Sequence, residues 1–341
     1  MLRKIFFLLA LLLCIQSLRT DAQDAEFSQF FSAPLYLNPA LAGTAYSPRI
    51  TINYRNQWPS LDHDFITYSV GYDQHIDALH GGIGVFVSAD QIGRGLMSTN
   101  SVYGIYSFNL KLGKNFGAKV ALQGGYVQKT IDWNQMTFYD MIDPVFGFTN
   151  STGTPNPTNE PLPMNDQISF PDFGAGLLAY STKTYFGFGV KHLTQPYVSF
   201  TGSALTASGK LPLRLAAHFG SVFKISKNAR GTSFFSPNIV YIHQHNVQQL
   251  NIGAYLQFGA VYSGLSFRHN ISNADAFILV IGVTKGIFRM GYSYDITVSK
   301  LGSSTGGAHE VSLILNFGKD DNELNPGKWR NMTPCPEILN F

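Results

Sequence analysis

Apolar and polar side chains alternate with a period of two along most of the chain. In Arg49–Gln57, for example, Ile50, Ile52 and Tyr54 share one face. Because successive side chains of a β-strand point to opposite faces, this alternation predicts strands. The predicted strands, about 14 in all, are 49–57, 65–73, 82–89, 96–110, 117–129, 173–181, 185–191, 213–225, 233–245, 250–258, 262–269, 276–284, 287–295 and 310–317.

The connections between these strands differ in length according to parity. The even-numbered connections are mostly short and turn-like, whereas the long ones, at about 130–170, 192–211 and 296–308, are all odd-numbered. Bacterial outer-membrane barrels have short periplasmic turns and long outer loops. A soluble β-sandwich gives no reason for long loops to fall on alternate connections, so the parity favours a barrel.

Composition supports a membrane environment. The 341 residues are 45% hydrophobic and 14% aromatic but only 13% charged, about half the charged fraction of ordinary soluble proteins. After the N-terminus no apolar run approaches the ~20 residues of a spanning helix. We therefore predict an all-β fold: a transmembrane antiparallel β-barrel in the outer membrane. The net charge of +3 without a basic cluster argues against nucleic-acid binding.

The ends of the chain fall outside the predicted barrel (49–317). Residues 1–22 resemble a cleaved signal peptide, with Arg3 and Lys4 before an apolar stretch and a small-residue site at Ala22. Residues 23–48 are rich in aromatics and prolines, so we expect them to plug the barrel or pack beneath it. Residues 318–341 are predicted to form a periplasmic tail, whose Cys335 would be the only cysteine after cleavage.

Few residues suggest chemistry. His243 and His245 share one strand face and could bind a metal, but two polar residues at the barrel rim explain them as well. His309 and Glu310 suggest acid–base catalysis or, more simply, a polar rim or lumen pair. The many glycines are interpreted as relief of strand curvature. We expect no enzyme activity, no metal and no cofactor.

The stretch Tyr54-Arg55-Asn56-Gln57-Trp58 combines hydrogen-bonding and aromatic side chains at the end of the first strand. Alternation places Arg55 and Gln57 opposite Tyr54 and Asn56. A charge facing lipid costs about 2–4 kcal/mol at the bilayer midplane, so Arg55 is expected to face the lumen. It would hold the N-terminal segment or a loop in place, or bind a partner peptide.

Short motifs near both ends of the chain occur in a specific combination. They are Phe27-Ser28-Gln29-Phe30, Pro34-Leu35-Tyr36-Leu37-Asn38-Pro39-Ala40, Ala42-Gly43, Tyr54-Arg55-Asn56-Gln57-Trp58, Gly291-Tyr292-Ser293-Tyr294-Asp295, Gly307-Ala308-His309-Glu310-Val311-Ser312-Leu313 and Cys335-Pro336. In this combination the chain resembles the PorP/SprF family from about residue 24 to its end. The 130–170 connection lies outside these motifs.

The resemblance implies a place in the type IX secretion and gliding machinery of Bacteroidota, with SprF-like closer than PorP-like. The implied partners are a secreted surface adhesin with a type B C-terminal sorting domain, periplasmic secretion or motor components, and outer-membrane lipid. It also implies a structural or partner-binding role for one set of residues: Asn38, Pro39, Tyr54, Arg55, Asn56, Gln57, Trp58, Tyr294, Asp295, His309 and Glu310. Trp329, Cys335 and Pro336 would make the periplasmic contact of the tail.

Three functions remain open on the sequence. The leading one is a non-enzymatic barrel that exports or anchors an adhesin at the cell surface. The alternative is a transporter of apolar solutes like the fatty-acid channels, for which the N-terminal segment would be the plug. An outer-membrane hydrolase would need a Ser–His arrangement that no spacing in the sequence suggests.

Overall fold

The computed structural model describes residues 24–45, 47–61, 64–113, 115–160, 165–200, 209–228, 231–270, 273–298 and 305–318. Its extended segments are β1 (Arg49–Gln57), β2 (Phe65–Ile76), β3 (Gly81–Ile92), β4 (Met97–Lys111), β5 (Phe116–Ile131), β6 (Gln167–Ser181), β7 (Thr184–Lys191), β8 (Arg214–Ser221), β9 (Phe223–Asn228), β10 (Gly231–Gln244), β11 (Val247–Phe258), β12 (Val261–Asn270), β13 (Asn273–Lys285), β14 (Phe288–Thr297) and β15 (Ala308–Asn316).

These segments form one closed antiparallel sheet. Except for β8 and β9, each pairs with its neighbours in sequence, and β15 pairs with β1 to close the barrel. Segments β8 and β9 both pair with β10 and together make one strand interrupted at Val222. The predicted 14-stranded antiparallel barrel is therefore confirmed.

The strands differ most from their predicted bounds in two places. Strand β6 begins at Gln167, six residues before the predicted start, because Gln167–Asp172 continue the ladder with β5. The predicted strand 213–225 is broken at Val222, a buried residue that leaves the β10 ladder and donates its backbone N–H to Lys183. Both differences reflect pairing between strands, to which local alternation is insensitive.

The two ends of the barrel are unlike. At one end, here called the inner end, the connections are two to four residues long. At the opposite outer end lie the long connections 132–166, 192–213 and 298–307. Within the described ranges, no helix is both long and apolar enough to span a bilayer.

The two faces of the wall carry different residues. Outward positions are large and apolar, such as Leu122, Leu265 and Ile281, each more than half exposed. Inward positions on these and neighbouring strands are polar or charged and buried, such as Lys119, Arg268 and Asp295. An outward apolar band with a polar interior is the arrangement of transmembrane barrels.

The interior of the barrel is occupied by residues 24–45, here called the plug. It contains a four-residue α-helix, α1 (Pro34–Leu37), between two short 3-10 helices, Phe30–Ser32 and Pro39–Leu41. Pro34 and Pro39 each stand at a helix start, where their missing N–H is not needed. All residues from Phe27 to Ala45 are buried, so the plug is the core around which the wall closes.

Candidate functional site

The inner end of the plug is held by backbone contact with the wall. A Cβ atom on Gly82 would lie 2.4 Å from the carbonyl oxygen of Ala42, and one on Gly43 would lie 2.6 Å from the Cα of Gly82. Gly43 also has φ +67°, in the left-handed region that favours glycine. Two glycines therefore let the two backbones touch, which no other residue would permit.

An ion pair fixes the same end. Arg49, on β1, donates from Nε and Nη2 to the two carboxylate oxygens of Asp73, on β2, at 2.9 and 3.0 Å. The Gly43 N–H donates to the same carboxylate at 2.7 Å. Both charged side chains are about 1% exposed. This bidentate pair is shielded from water and accepts a hydrogen bond from the plug backbone. It therefore stabilises one position of the plug against β1 and β2.

The middle of the plug turns at Asn38 and Pro39. The Asn38 side chain accepts from the Ala40 N–H at 2.9 Å and donates to the Leu177 carbonyl of β6 at 2.9 Å. Its amide also lies 3.1 Å from His218 Nε2 on β8. Asn38 thus caps the second 3-10 helix and joins it to the wall, while Pro39 is buried at the start of that helix.

The outer part of the plug is held by a buried ionic cluster around Arg55. Arg55 donates to Asp295 at 2.9 Å, to Glu310 at 3.2 Å and to the Ser28 hydroxyl at 2.7 Å. Arg268 also pairs with Asp295, at 3.0 Å. All four side chains are buried, and Arg268 makes a further ion pair with the part-exposed Asp275.

The plug backbone completes this cluster. The Ser28 and Gln29 N–H groups donate to the two oxygens of Glu310 at 2.7 and 3.0 Å. The Ser28 hydroxyl donates to Asp295 at 2.6 Å. Glu310 therefore receives hydrogen bonds from the plug as well as from Arg55, so the wall and the plug stabilise the same carboxylate.

The first residues of the plug make a second set of ion pairs. His192 lies between Asp24 of the plug, at 2.7 Å, and Asp172 of β6, at 2.9 Å. Glu26 pairs with Arg214 at 2.9 Å. Burial opposes the charge on His192, but the two carboxylates outweigh it and raise the pKa of His192 to about 9. Burial likewise opposes the charge on Asp24, yet His192 holds the pKa of Asp24 well below its usual value.

Above these contacts the barrel opens into a vestibule lined by both polar and apolar side chains. Two adjoining cavities, of about 370 and 440 Å³, share Asp24, Ala25, Thr67 and Asp90 in their walls. Arg55, Arg268 and Asp275 line the first cavity, and Lys129, Lys191 and His192 the second. We call this space the outer vestibule. The plug separates it from the inner end of the barrel.

The remaining motif residues lie on the outside of the wall or at its outer rim. Tyr54 packs against Tyr68 with ring centroids 5.1 Å apart, and Asn56 donates to Asp64 at 3.3 Å. Tyr294 packs on the His309 ring at 4.9 Å.

Trp58 and Gln57 line the vestibule. Trp58 adopts φ +62°, packs edge-on against Phe65 and donates its backbone N–H to Gly307 at 2.8 Å. Gln57 accepts from Arg55 at 3.3 Å.

The chemistry considered from the sequence does not assemble. His309 and Glu310 point to opposite faces of β15, since Glu310 is fully buried inside and His309 contacts Tyr292 outside, at 2.8 Å. Among the described residues, no three His, Cys, Asp or Glu side chains are grouped to hold a metal ion. Trp329, Cys335 and Pro336 lie outside the described residues, as does the predicted signal peptide.

Sequence reasoning missed several residues that hold the plug: Glu26, Arg49, Asp73, Asp172, His192, Arg214 and Arg268. Glu26 and His192 lie outside the strands, but the others share one signal, an isolated charge at an inward position of a strand. Alternation could have placed those strand residues in the lumen. It could not have paired them, because the partners lie 20 to 188 residues apart.

The fold and the filled lumen define the class: an outer-membrane β-barrel with an internal plug. The chain belongs to the PorP/SprF family, the type IX secretion system membrane proteins, whose family model matches residues 19–315. No match was found among curated proteins.

Solved outer-membrane barrels share the architecture at low identity. Omp33 of Acinetobacter baumannii is 10% identical, with a TM-score of 0.43 over 80% of this chain and 98% of its own. The toluene transporter TodX of P. putida is 10% identical, with a TM-score of 0.43 over 82% of this chain and 94% of its own. A FadL homologue of Pseudomonas aeruginosa is 12% identical, with a TM-score of 0.37 over 82% and 93%. These likenesses concern the fold alone.

Proposed function

We propose that this barrel is a non-enzymatic component of the type IX secretion and gliding machinery of a member of the Bacteroidota. It would be needed for export or surface anchoring of a secreted adhesin that carries a type B C-terminal sorting domain. Its length and overall sequence character favour the SprF branch over the PorP branch. Family membership supports the general role, and the plugged lumen supports the particular one.

The observation that carries the proposal is the plug. Residues 24–45 fill the barrel and are tied to the wall through Asp73, Glu310 and Asp295. An adhesin chain could not pass through such a lumen without displacing the plug. Displacement would break the ion pairs of Asp24 and Glu26 with the wall and remove the plug's hydrogen bonds to these buried carboxylates. A barrel of this kind suits a rigid outer-membrane partner, with export through another component.

Transport of an apolar solute is the alternative. It requires a continuous apolar path through the lumen, at least when the plug is displaced. The inward face instead carries Arg49, Lys119, Asp172, Arg214 and Glu310. This lining favours the secretion role, and solute uptake that is unchanged by deletion of the gene would remove the alternative.

The tail is proposed to contact periplasmic secretion or motor components. Its sequence, 318–341, is polar and contains Trp329, Cys335 and Pro336. Cells that lack this tail should keep the barrel in the outer membrane but lose secretion or motility. Normal secretion and movement in those cells would contradict the tail contact and leave the barrel's other role intact.

The main test is a clean deletion of the gene, with surface and secreted proteins compared with those of the parent strain. Loss of one or a few large adhesins, with other secreted proteins intact, is the expected result. Broad loss of secretion would indicate a core component of the apparatus instead. An unchanged set of proteins would contradict both and leave solute transport to be examined.

A further inference from the structure

The long outer connection between β5 and β6 has an unusual composition. Residues 132–166 contain five acidic side chains and no Lys, Arg or His. The acidic residues are Asp132, Asp140, Asp143, Glu160 and Asp166. The chain as a whole has a net charge of +3, so this connection is a local concentration of negative charge at the outer end.

The same connection presents large apolar side chains. Tyr139 is 91% exposed, Val145 79% and Phe146 53%, and Ile142 and Phe148 are nearly half exposed. They lie at least eight residues from the end of β5, beyond the part of the wall that forms the sheet. Large apolar side chains that are exposed together on one loop are typical of an interaction surface.

Hydrogen bonds within the connection hold these side chains in place. The Asp143 carboxylate accepts from the N–H groups of Val145 and Phe146 at 2.7 and 2.9 Å. The Asp140 carboxylate accepts from the Thr158 hydroxyl at 2.9 Å and from the Asn159 N–H at 2.6 Å. The loop therefore has a fold of its own that keeps its apolar groups outward.

Neighbouring contacts fix the base of the connection. Trp133 packs edge-on against Phe200 of the next outer loop, with ring centroids 6.3 Å apart. The Asp132 N–H donates to the carbonyl of Leu96 at 2.9 Å. Of the described residues that line the outer vestibule, none comes from 133–160. The apolar groups of the connection thus face away from the lumen.

We propose that this connection is a docking surface for a basic and partly apolar protein surface. The docking surface comprises Tyr139, Ile142, Val145, Phe146 and Phe148 with the carboxylates around them. Resting on the proposed function, we assign as its occupant the sorting domain of the secreted adhesin. Negative charge repels the anionic headgroups of bacterial lipids and attracts lysine and arginine side chains, so charge complementarity selects a protein over the membrane.

The test uses the full chain in lipid nanodiscs and, as probe, the purified C-terminal domain of an adhesin lost from the deletion strain. The double variant Val145→Ser, Phe146→Ser removes apolar contact but keeps the backbone bonds to Asp143. We expect its affinity for the domain to fall at least about tenfold. Leu112→Ser, at an inner turn where Leu112 is 67% exposed, is the matched control and should bind normally.

A second variant tests charge. Glu160→Gln with Asp166→Asn spares the two carboxylates that hold the loop together. Its affinity should fall severalfold at low salt and match the wild type at about 0.5 M salt, where charges are screened within a few ångströms. The difference in gel mobility between unheated and heated samples checks that every variant still forms the barrel.

The possible outcomes separate the two proposals. Equal binding by the loop variants and the wild type would overturn the docking surface and leave the secretion role intact. So would an adhesin that needs the barrel in cells but whose domain does not bind it in nanodiscs. If deletion removes no adhesin from the cell surface, the secretion role fails and the docking proposal fails with it.

Discussion

The two ends of the plug are attached to the same wall by different means. At the inner end, the Gly43 and Gly82 backbones are in direct contact beside the dry Arg49–Asp73 pair. At the outer end, contact is made by side chains, chiefly Arg55 and His192, which also line the outer vestibule.

This difference separates a fixed attachment from an adjustable one. Backbone contact depends on shape and is insensitive to pH and salt, whereas ionic contacts next to a water-filled space respond to both. The outer contacts also involve a histidine, which can lose its charge. The inner end is therefore expected to anchor the plug, and the outer end to be the part that loosens first.

The largest effect on how firmly the plug is held is expected from Gly82→Ala. The added Cβ would overlap backbone atoms of Ala42 and Gly43, at 2.4 and 2.8 Å, and no side chain can move aside to relieve the overlap. The free energy that holds the plug in the lumen should fall by about 3 kcal/mol or more. A protease that cleaves after aromatic residues should then cut at Phe27 or Phe31 in nanodisc-embedded barrels.

Gly104→Ala is the matched control for that experiment. Its added Cβ would meet nothing closer than 3.9 Å, so the plug should stay protected. Equal protection of the plug in both variants would show that the contact at Gly82 does not hold it.

The next effect is expected from Arg55→Ala, which leaves Glu310 without its cation. Removing one partner of a dry buried pair costs about 3–5 kcal/mol. Arg268 still pairs with Asp295, and the vestibule admits water. We therefore expect the free energy that holds the plug in the lumen to fall by about 2–3 kcal/mol. Adding Ser28→Ala should cost little more, since Ser28 donates within the same cluster, and a fully additive result would contradict the cluster.

The sequence predicted the wall well because a barrel wall has a strictly local signature. Each strand must present apolar residues to lipid at alternate positions, so Ile50 and Ile52 mark β1 without knowledge of its neighbours. The break at Val222 and the early start of β6 depend on the pairing partner. They were consequently missed.

The site was less predictable because its contacts join distant residues. Arg55 and Glu310 stand directly opposite each other in the β1–β15 pairing, yet they are 255 residues apart in the chain. Alternation places each of them on the inward face, but only closure of the barrel makes them neighbours. Gly82 was predicted for the wrong reason. The sequence suggested that it relieves strand curvature, whereas the structure shows that it makes room for the plug backbone.

A smaller effect is expected from pH at the outer end. Burial lowers the pKa of His192, whereas the Asp24 and Asp172 carboxylates raise it. The net result is an increase in this pKa from 6.5 to about 9. Its stabilisation of the plug is therefore complete below about pH 6.5 and lost as the pH rises through about 9. The loss should be about 1–2 kcal/mol, because Arg214 remains charged beside Asp24.

A nitroxide on Ala25→Cys, in a Cys335→Ser background, would report this loosening as a narrower spectrum above pH 9. His192→Gln keeps a hydrogen-bonding side chain but cannot titrate, so its spectrum should not change through this range. If the two proteins follow the same pH profile, another group is responsible.

The smallest effect is expected from Gln57→Ala. Gln57 accepts one hydrogen bond from Arg55, at 3.3 Å, beside the vestibule where water can replace it. A hydrogen bond of this kind contributes about 0.5–1 kcal/mol, so the plug should remain protected from the protease that exposes it in Gly82→Ala. Protection equal to that of the wild type, with only a slight narrowing of the spectrum of a nitroxide at Ala25→Cys, would show that Arg55 acts through the Asp295 and Glu310 carboxylates. Exposure as large as in Arg55→Ala would instead mean that Gln57 positions the guanidinium, and that the outer attachment depends on the vestibule rim as much as on the buried charges.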